Sequence, residues 1–171
     1  LTSDNGGVLD TNGPDKINSG SPETNNGHSQ NGSLRGTKGS PFEGGTRVPF
    51  IVRWPGRIQP GVSGELVCHV DMLASMAALT GRKLVEAAGP DSFNILPALL
   101  GEKLSKPCRE HLVEQGNALA LRKGPWKLIP AAGEAVARKG KRSGGPEAQL
   151  YNLANDLGET NNLASQHPEL V

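Results

Sequence analysis

Apolar residues come in short, separated runs, and the spacing within each run predicts its element. Leu1-Thr2-Ser3 is a brief β-prone lead into Asp4-Asn5-Gly6-Gly7. Residues 10–33 are almost wholly Asn, Gly, Ser, Pro, Thr and charged side chains. Such a stretch buries too little apolar surface to offset ordering entropy, so it reads as a loop. Val48-Pro49-Phe50-Ile51-Val52-Arg53-Trp54 is β-branched and aromatic and closes on Pro55-Gly56, predicting a buried strand ending in a turn. Asp71 precedes Met72, Leu73, Met76, Ala77 and Leu79 with Gly81 behind, which predicts an acid-capped helix with a glycine stop. A second short helix is predicted over 92–100, stopped by Gly101, and Pro107 marks a subdomain boundary. Beyond it, 111–115, 118–122, 126–129 and 148–153 read as short strands. Turns fall at Gly116-Asn117 and Lys123-Gly124-Pro125, a Gly-, Lys- and Arg-rich loop runs over 131–146, and turn chemistry follows at 155–159. Short strands in succession predict a small antiparallel sheet. No internal repeat interrupts this order.

Composition narrows the picture. A length of 171 residues suggests one domain, and a 35% hydrophobic share supports a modest core. The 23 glycines and 13 prolines point to long loops around a smaller ordered body. A net charge of +1 argues against a nucleic-acid-binding surface. No apolar run approaches membrane-spanning length. Cys68 and Cys108 lack metal-ligand spacing and read as separate thiols in or near packed structure. Their pairing, and with it the compartment, stays open at this stage.

Two stretches carry candidate chemistry. Asp4 and Asn5 place a carboxylate beside an amide carbonyl at a strand-to-loop junction, a mixture that suits Ca²⁺ or Mg²⁺. The plainer alternative is a turn, since Asp-Asn-Gly is common punctuation. Lys38, in Arg35-Gly36-Thr37-Lys38-Gly39-Ser40-Pro41, is a compact cation held between glycines that permit close approach to an anionic oxygen. Its alternative is an ordinary solvated lysine. Arg35, Glu43 and Arg47 read as braces for this loop. His28, the one histidine between the two stretches, offers weak secondary contact with a leaving oxygen. His69 reads as structural, and His111 and His167 fall in the distal part.

Ser3-Asp4-Asn5-Gly6 together with residues 34–49 resembles the downstream half of the sulfatase family, within the alkaline-phosphatase-like superfamily. The likeness is strongest over 1–7 and 33–60. It continues through Val70-Asp71-Met72-Leu73, Asp91-Ser92-Phe93-Asn94 and Trp126-Lys127-Leu128, and closes on Leu150-Tyr151-Asn152-Leu153 with 156–163. The resemblance implies that Asp4 and Asn5 ligate an active-site calcium, with Mg²⁺ as a substitute, and that Lys38 contacts the sulfate. It implies an α/β fold: the C-terminal part of an alkaline-phosphatase-like mixed-sheet sandwich over 1–106, then a small antiparallel sheet with a helix over 107–171. The family's nucleophile is a formylglycine made in a Cys-x-Pro/Ala-x-Arg setting. Cys68 is followed by His69-Val70-Asp71 and Cys108 by Arg109-Glu110-His111, so neither fits. The expectation is therefore a C-terminal half that is inactive alone and needs an N-terminal half for the nucleophile and remaining metal ligands. The implied substrate is a sulfate ester of an aryl alcohol or carbohydrate, sulfated glycans included, in a periplasmic, secreted or lysosomal setting. Alternatives are a phosphonate or phosphate monoester hydrolase of the same superfamily and a non-catalytic sulfated-glycan-binding module.

Overall fold

The computed structural model describes residues 1–7, 29–85, 87–131 and 147–171. His28 and most of the two predicted loops, 10–33 and 131–146, lie outside these. The chain forms two compact units: Leu1–Phe50 with Val113–Val171, and Ile51–Leu112. The first unit thus draws on both ends of the sequence.

The first unit is built on an antiparallel meander of four strands, β1 (His111–Gln115), β2 (Leu119–Lys123), β3 (Trp126–Ile129) and β4 (Gln149–Asn152), in the order β1-β2-β3-β4. These match the four runs expected from the sequence to within about a residue. The β2–β3 hairpin pairs Lys123 with Trp126 around Gly124-Pro125. Gly124 has φ 55°, and proline fixes a negative φ behind it, the sign combination of a type II′ turn that suits strand twist. In the β3–β4 register, Lys127 faces Tyr151 and Leu128 faces Leu150.

Burial alternates along β1, β2 and β3, so one face is covered there, whereas β4 buries Leu150 as well as Tyr151. That face carries Glu114 from β1, Ala120 and Arg122 from β2, Lys127 and Ile129 from β3, and Tyr151 from β4. Ala120, Ile129, Tyr151 and Leu153 form its apolar part, with Phe42 and Ala118 packed against them. Val113 and Leu119 point away and are 59% and 52% exposed. The covering element is a single-turn helix, α1 (Glu43–Thr46), whose Glu43 and following two glycines are buried.

In the second unit, a 3-10 turn over His69–Asp71 leads into α2 (Met72–Leu79), which packs against α3 (Leu96–Leu99). Ser75 pins the two: its hydroxyl donates to the Asp71 carbonyl at 2.7 Å and accepts from the Ile95 N–H at 2.9 Å. Both helices end in a glycine at positive φ, Gly81 (67°) and Gly101 (73°). In each case the next N–H reaches back five residues, Arg82 to Ala77 and Glu102 to Pro97, closing the last turn.

Three expectations need correction here. Residues 48–56 do not form a buried strand; Phe50 makes one isolated bridge to Thr2, and Ile51 is 57% exposed. Pro49 and Pro55 remove two ladder donors from the run, and Arg57 and Ile58 instead turn back onto the Trp54 carbonyl. The second helix begins at Leu96 rather than 92, because the Asn94 side chain accepts from the Leu96 N–H and holds a local turn. Asp71 heads α2 without capping it. Its carboxylate accepts instead from the backbone of Cys68 (2.8 Å) and Phe93 (2.9 Å) and pairs with Arg109, fully buried.

Candidate functional site

All the candidate site residues within the described chain lie in the first unit, where backbone hydrogen bonds stitch their segments together. The Gly6 N–H donates to the Gly45 carbonyl at 3.0 Å, the Gly44 N–H to the Arg35 carbonyl at 2.7 Å, and the Lys38 N–H to the Gly7 carbonyl at 3.2 Å. Asn31 adds a side-chain clamp, accepting from Gly7 N–H at 2.7 Å and donating to the Gly36 carbonyl at 2.9 Å. The segment carrying Asp4 and Asn5 is thereby fixed to both α1 and the lysine turn.

Glycine is required at these crossings by backbone contact. A Cβ on Gly6 would overlap the Gly44 carbonyl, with its carbon at 2.7 Å and the Gly45 Cα at 3.0 Å. A Cβ on Gly44 would overlap the Gly36 carbonyl, and one on Gly45 would sit 2.8 Å from the Thr37 carbonyl. Gly6, Gly44 and Gly45 thus let three backbone segments meet.

Lys38 sits on an exposed turn closed by the Ser40 N–H on the Thr37 carbonyl at 2.9 Å. The turn is held from below by the β1–β2 hairpin, whose Asn117 N–H donates to the Gly39 carbonyl at 2.6 Å. The side chains of Lys38, Asp4 and Asn5 make no hydrogen bond or ion pair among the described residues, and Asp4 is exposed. Among the described residues, two hard oxygen donors and one cation thus stand without a side-chain partner. No group of three or more His, Cys, Asp or Glu that could hold a metal ion occurs among the described residues. The oxygen chemistry of Asp4 and Asn5 fits a hard cation, whose usual six to eight oxygens would come largely from elsewhere.

Beneath these loops lies a buried charge cluster. Glu43, at the start of α1, has one carboxylate oxygen 2.9 Å from Lys127 Nζ and the other 2.6 Å from Arg47 Nε, with Arg122 at 3.6 Å. Lys127, wholly buried, also lies 3.0 Å from Glu114 and 3.5 Å from Glu159. Glu159 accepts from the Glu43 N–H at 2.7 Å. Arg35 donates to the Tyr151 hydroxyl (2.9 Å) and the Glu159 carbonyl (3.0 Å) and stacks on Phe42. Burial alone would raise the Glu43 carboxyl, but Lys127 and Arg47 outweigh it and hold the group below the usual range. For Glu159 burial prevails and raises the carboxyl, with Lys127 and the Glu43 N–H offsetting only part. Glu159 also adopts φ 53°, and its Oε1 lacks a hydrogen bond among the described residues.

Sequence reading missed Lys127, Glu114 and Glu159 as parts of this assembly. The available signal was position: Lys127 shares the inward period of β3 with Ile129, an unusual place for an ammonium unless carboxylates meet it.

Comparison with known proteins identifies the family of the chain. The Sulfatase family model matches residues 1–82. An N-acetylgalactosamine-6-O-sulfatase of Bacteroides thetaiotaomicron is 43% identical over 176 residues, covering 100% of this chain and 33% of that protein. The chain belongs to the sulfatase family. Human arylsulfatase A is 33% identical over 161 residues, covering 82% of the chain and 31% of that protein. A solved structure from work on glycosaminoglycan metabolism by Bacteroides thetaiotaomicron superposes with a TM-score of 0.81 at 42% identity. It covers 99% of this chain and 35% of its own. The crystal structure of Ps i-CgsB, at 24% identity and a TM-score of 0.67, shares the fold over 99% of this chain and 32% of its own. The chain thus spans about a third of the length of these relatives. Within this sulfatase chain, the family model spans Asp4, Asn5, Arg35, Lys38, Glu43 and Arg47, whereas Glu114, Lys127 and Glu159 lie beyond it.

Proposed function

We propose that this chain forms one side of the active site of a sulfate ester hydrolase acting on a carbohydrate sulfate. The observation that carries the reading is the stitching of Asp4-Asn5-Gly6-Gly7 to the Lys38 turn through Gly6–Gly45 and Gly7–Lys38 hydrogen bonds. These bonds join the segment that carries the two oxygen donors to the turn that carries the ammonium. The 43% identity to an N-acetylgalactosamine-6-O-sulfatase supports a sugar 6-O-sulfate as the substrate class.

Asp4 and Asn5 would hold calcium, or magnesium in its place. When bound there, the ion would supply positive charge toward an anionic oxygen of the ester. Lys38 would bind a sulfate oxygen and stabilise the charge that gathers as the S–O bond breaks, more strongly in the transition state than in the ground state. The formylglycine nucleophile and the remaining metal ligands would come from sequence outside residues 1–171, in the larger alkaline-phosphatase-like sandwich. His28 stays a secondary candidate for substrate contact. On this reading residues 1–171 alone hydrolyse no aryl sulfate.

The test uses the full-length protein. Asp4→Ala should lose calcium, measured on purified protein, and with it activity. Lys38→Ala should keep calcium and fold while single-turnover hydrolysis slows about 10²–10³-fold. Calcium and activity surviving in Asp4→Ala, or an unchanged chemical step in Lys38→Ala, would reduce that residue to a turn or a loop brace.

A further inference from the structure

The cluster under α1 has a consequence for the site above it. Lys127 Nζ has three N–H donors and faces three carboxylates, from α1 (Glu43), β1 (Glu114) and the 159 turn. Glu43 is bound at both ends: its N–H donates to Glu159 and its carboxylate meets Lys127 and Arg47. The position of α1 is therefore set by this ammonium. The residues directly after Glu43 are the ones that carry the loops. Gly44 donates to the Arg35 carbonyl, and Gly45 accepts from Gly6, the neighbour of Asn5. The same cluster reaches the Lys38 turn from the other side. Thr46 Oγ1 donates to Glu114 at 3.0 Å, and β1, which carries Glu114, runs into the hairpin that holds Gly39.

We infer that Lys127 and Glu43 are positioning residues, which set the distance between the Asp4-Asn5 oxygens and the Lys38 ammonium by fixing α1. The inference rests on the proposed function. It goes beyond it in assigning control of the site to a buried lysine far along the chain from both motifs. Removing the ammonium leaves Glu43, Glu114 and Glu159 facing one another in a buried space, and their repulsion acts directly on α1. A shift there moves both loops through hydrogen bonds and glycine contacts that have no slack. Groups that orient metal-binding residues typically change metal affinity or activity by about 10–100-fold when removed.

The test uses the full-length protein with Lys127→Met, Glu114→Gln and the double variant Lys127→Met/Glu43→Gln. Calcium binding to the metal-free protein is measured by calorimetry. The constants kcat and KM are measured separately on a 6-O-sulfated N-acetylgalactosamine substrate, well below each melting midpoint. Lys127→Met should weaken calcium binding about tenfold or more and lower kcat more than it raises KM. The double variant, which removes an opposing charge as well, should recover part of both losses. Glu114→Gln should show the same pattern more mildly, and it decides the matter if Lys127→Met does not fold. Variants that melt earlier but keep wild-type calcium affinity and kcat would overturn the inference while leaving the function intact. A wild-type protein that binds no calcium or cleaves no sulfate would overturn both.

Discussion

Gly6→Ala adds one methyl group at the crossing that joins the Asp4-Asn5 segment to α1. The new Cβ would overlap the Gly44 carbonyl oxygen and lie 2.7 Å from its carbon, where ordinary contact begins at 3.4 Å. Clearing the carbon alone takes about 0.7 Å and the oxygen lies closer still, so the two backbones must part by more than that, neither neighbour being a flexible side-chain end. Parting them stretches the 3.0 Å Gly6–Gly45 hydrogen bond. Overpacking costs about 1–3 kcal/mol and the lost bond about 1 kcal/mol, so about 2–4 kcal/mol in all. Backbone strain adds nothing, since Gly6 is not among the positive-φ glycines. The control is Gly64→Ala, where nothing lies within 4 Å and φ is also ordinary. That change should be neutral or stabilising by less than about 1 kcal/mol. Both variants are compared in the full-length protein by calorimetric melting and by calcium titration. Gly6→Ala should melt earlier and bind calcium more weakly; Gly64→Ala should do neither. Equal behaviour of the two would refute the claim that glycine at position 6 serves backbone packing.

Three further outcomes follow from charged groups. Asp71→Ala strands the buried Arg109 guanidinium and two backbone donors, and should cost about 3–5 kcal/mol by thermal unfolding; an unchanged midpoint would remove its joining role. Asp156 accepts first from the Thr160 N–H and then from Asn161, which holds its carboxyl low. Its folded pKa lies below the unfolded one, so its contribution is present above the unfolded value and fades as pH falls through the folded one. An NMR titration midpoint at or above the usual Asp range would contradict this. Glu159 has the opposite sign. Burial makes the folded protein bind that proton more tightly, so stability declines as pH rises from the unfolded value to the folded one. Glu159→Gln, which keeps an acceptor for the Glu43 N–H, should flatten that decline in melting midpoints taken from about pH 4 to about pH 8; an identical slope would show that Glu159 is not its source.

Local signals were legible where the chain supplies its own termination. Gly81 and Gly101 close helices that begin within a few residues of their predicted starts, and Gly124-Pro125 turns one strand onto the next. The strands at 111–115 and 126–129 stand at the expected bounds. Local reading failed at 48–56, where a strong β-type composition lacks the pairing that makes a strand. Composition describes a residue's preference, whereas a strand needs a partner ladder. Asp71 shows the same limit in a helix: its position announces a cap, yet Arg109, 38 residues on, claims the carboxylate.

The site divides along the same line. Asp4, Asn5 and Lys38 could be singled out because their glycine settings are local, although the glycines' packing against one another was not visible. The cluster below was hidden by the sheet's choice of face. A two-residue period says that Leu119 and Leu121 share one side and that Ala120 and Arg122 share the other, but not which side is covered. Hydrophobicity would turn the leucines inward. The structure covers Ala120, Arg122, Lys127 and Glu114 instead, because α1 arrives on that side carrying Glu43. An ammonium in that position is tolerable only when its carboxylates arrive with it. Those come from residues 43, 114 and 159, and only the folded chain brings them to one point. Burial of Lys127 is thus a property of three distant segments meeting, which no window along the sequence contains.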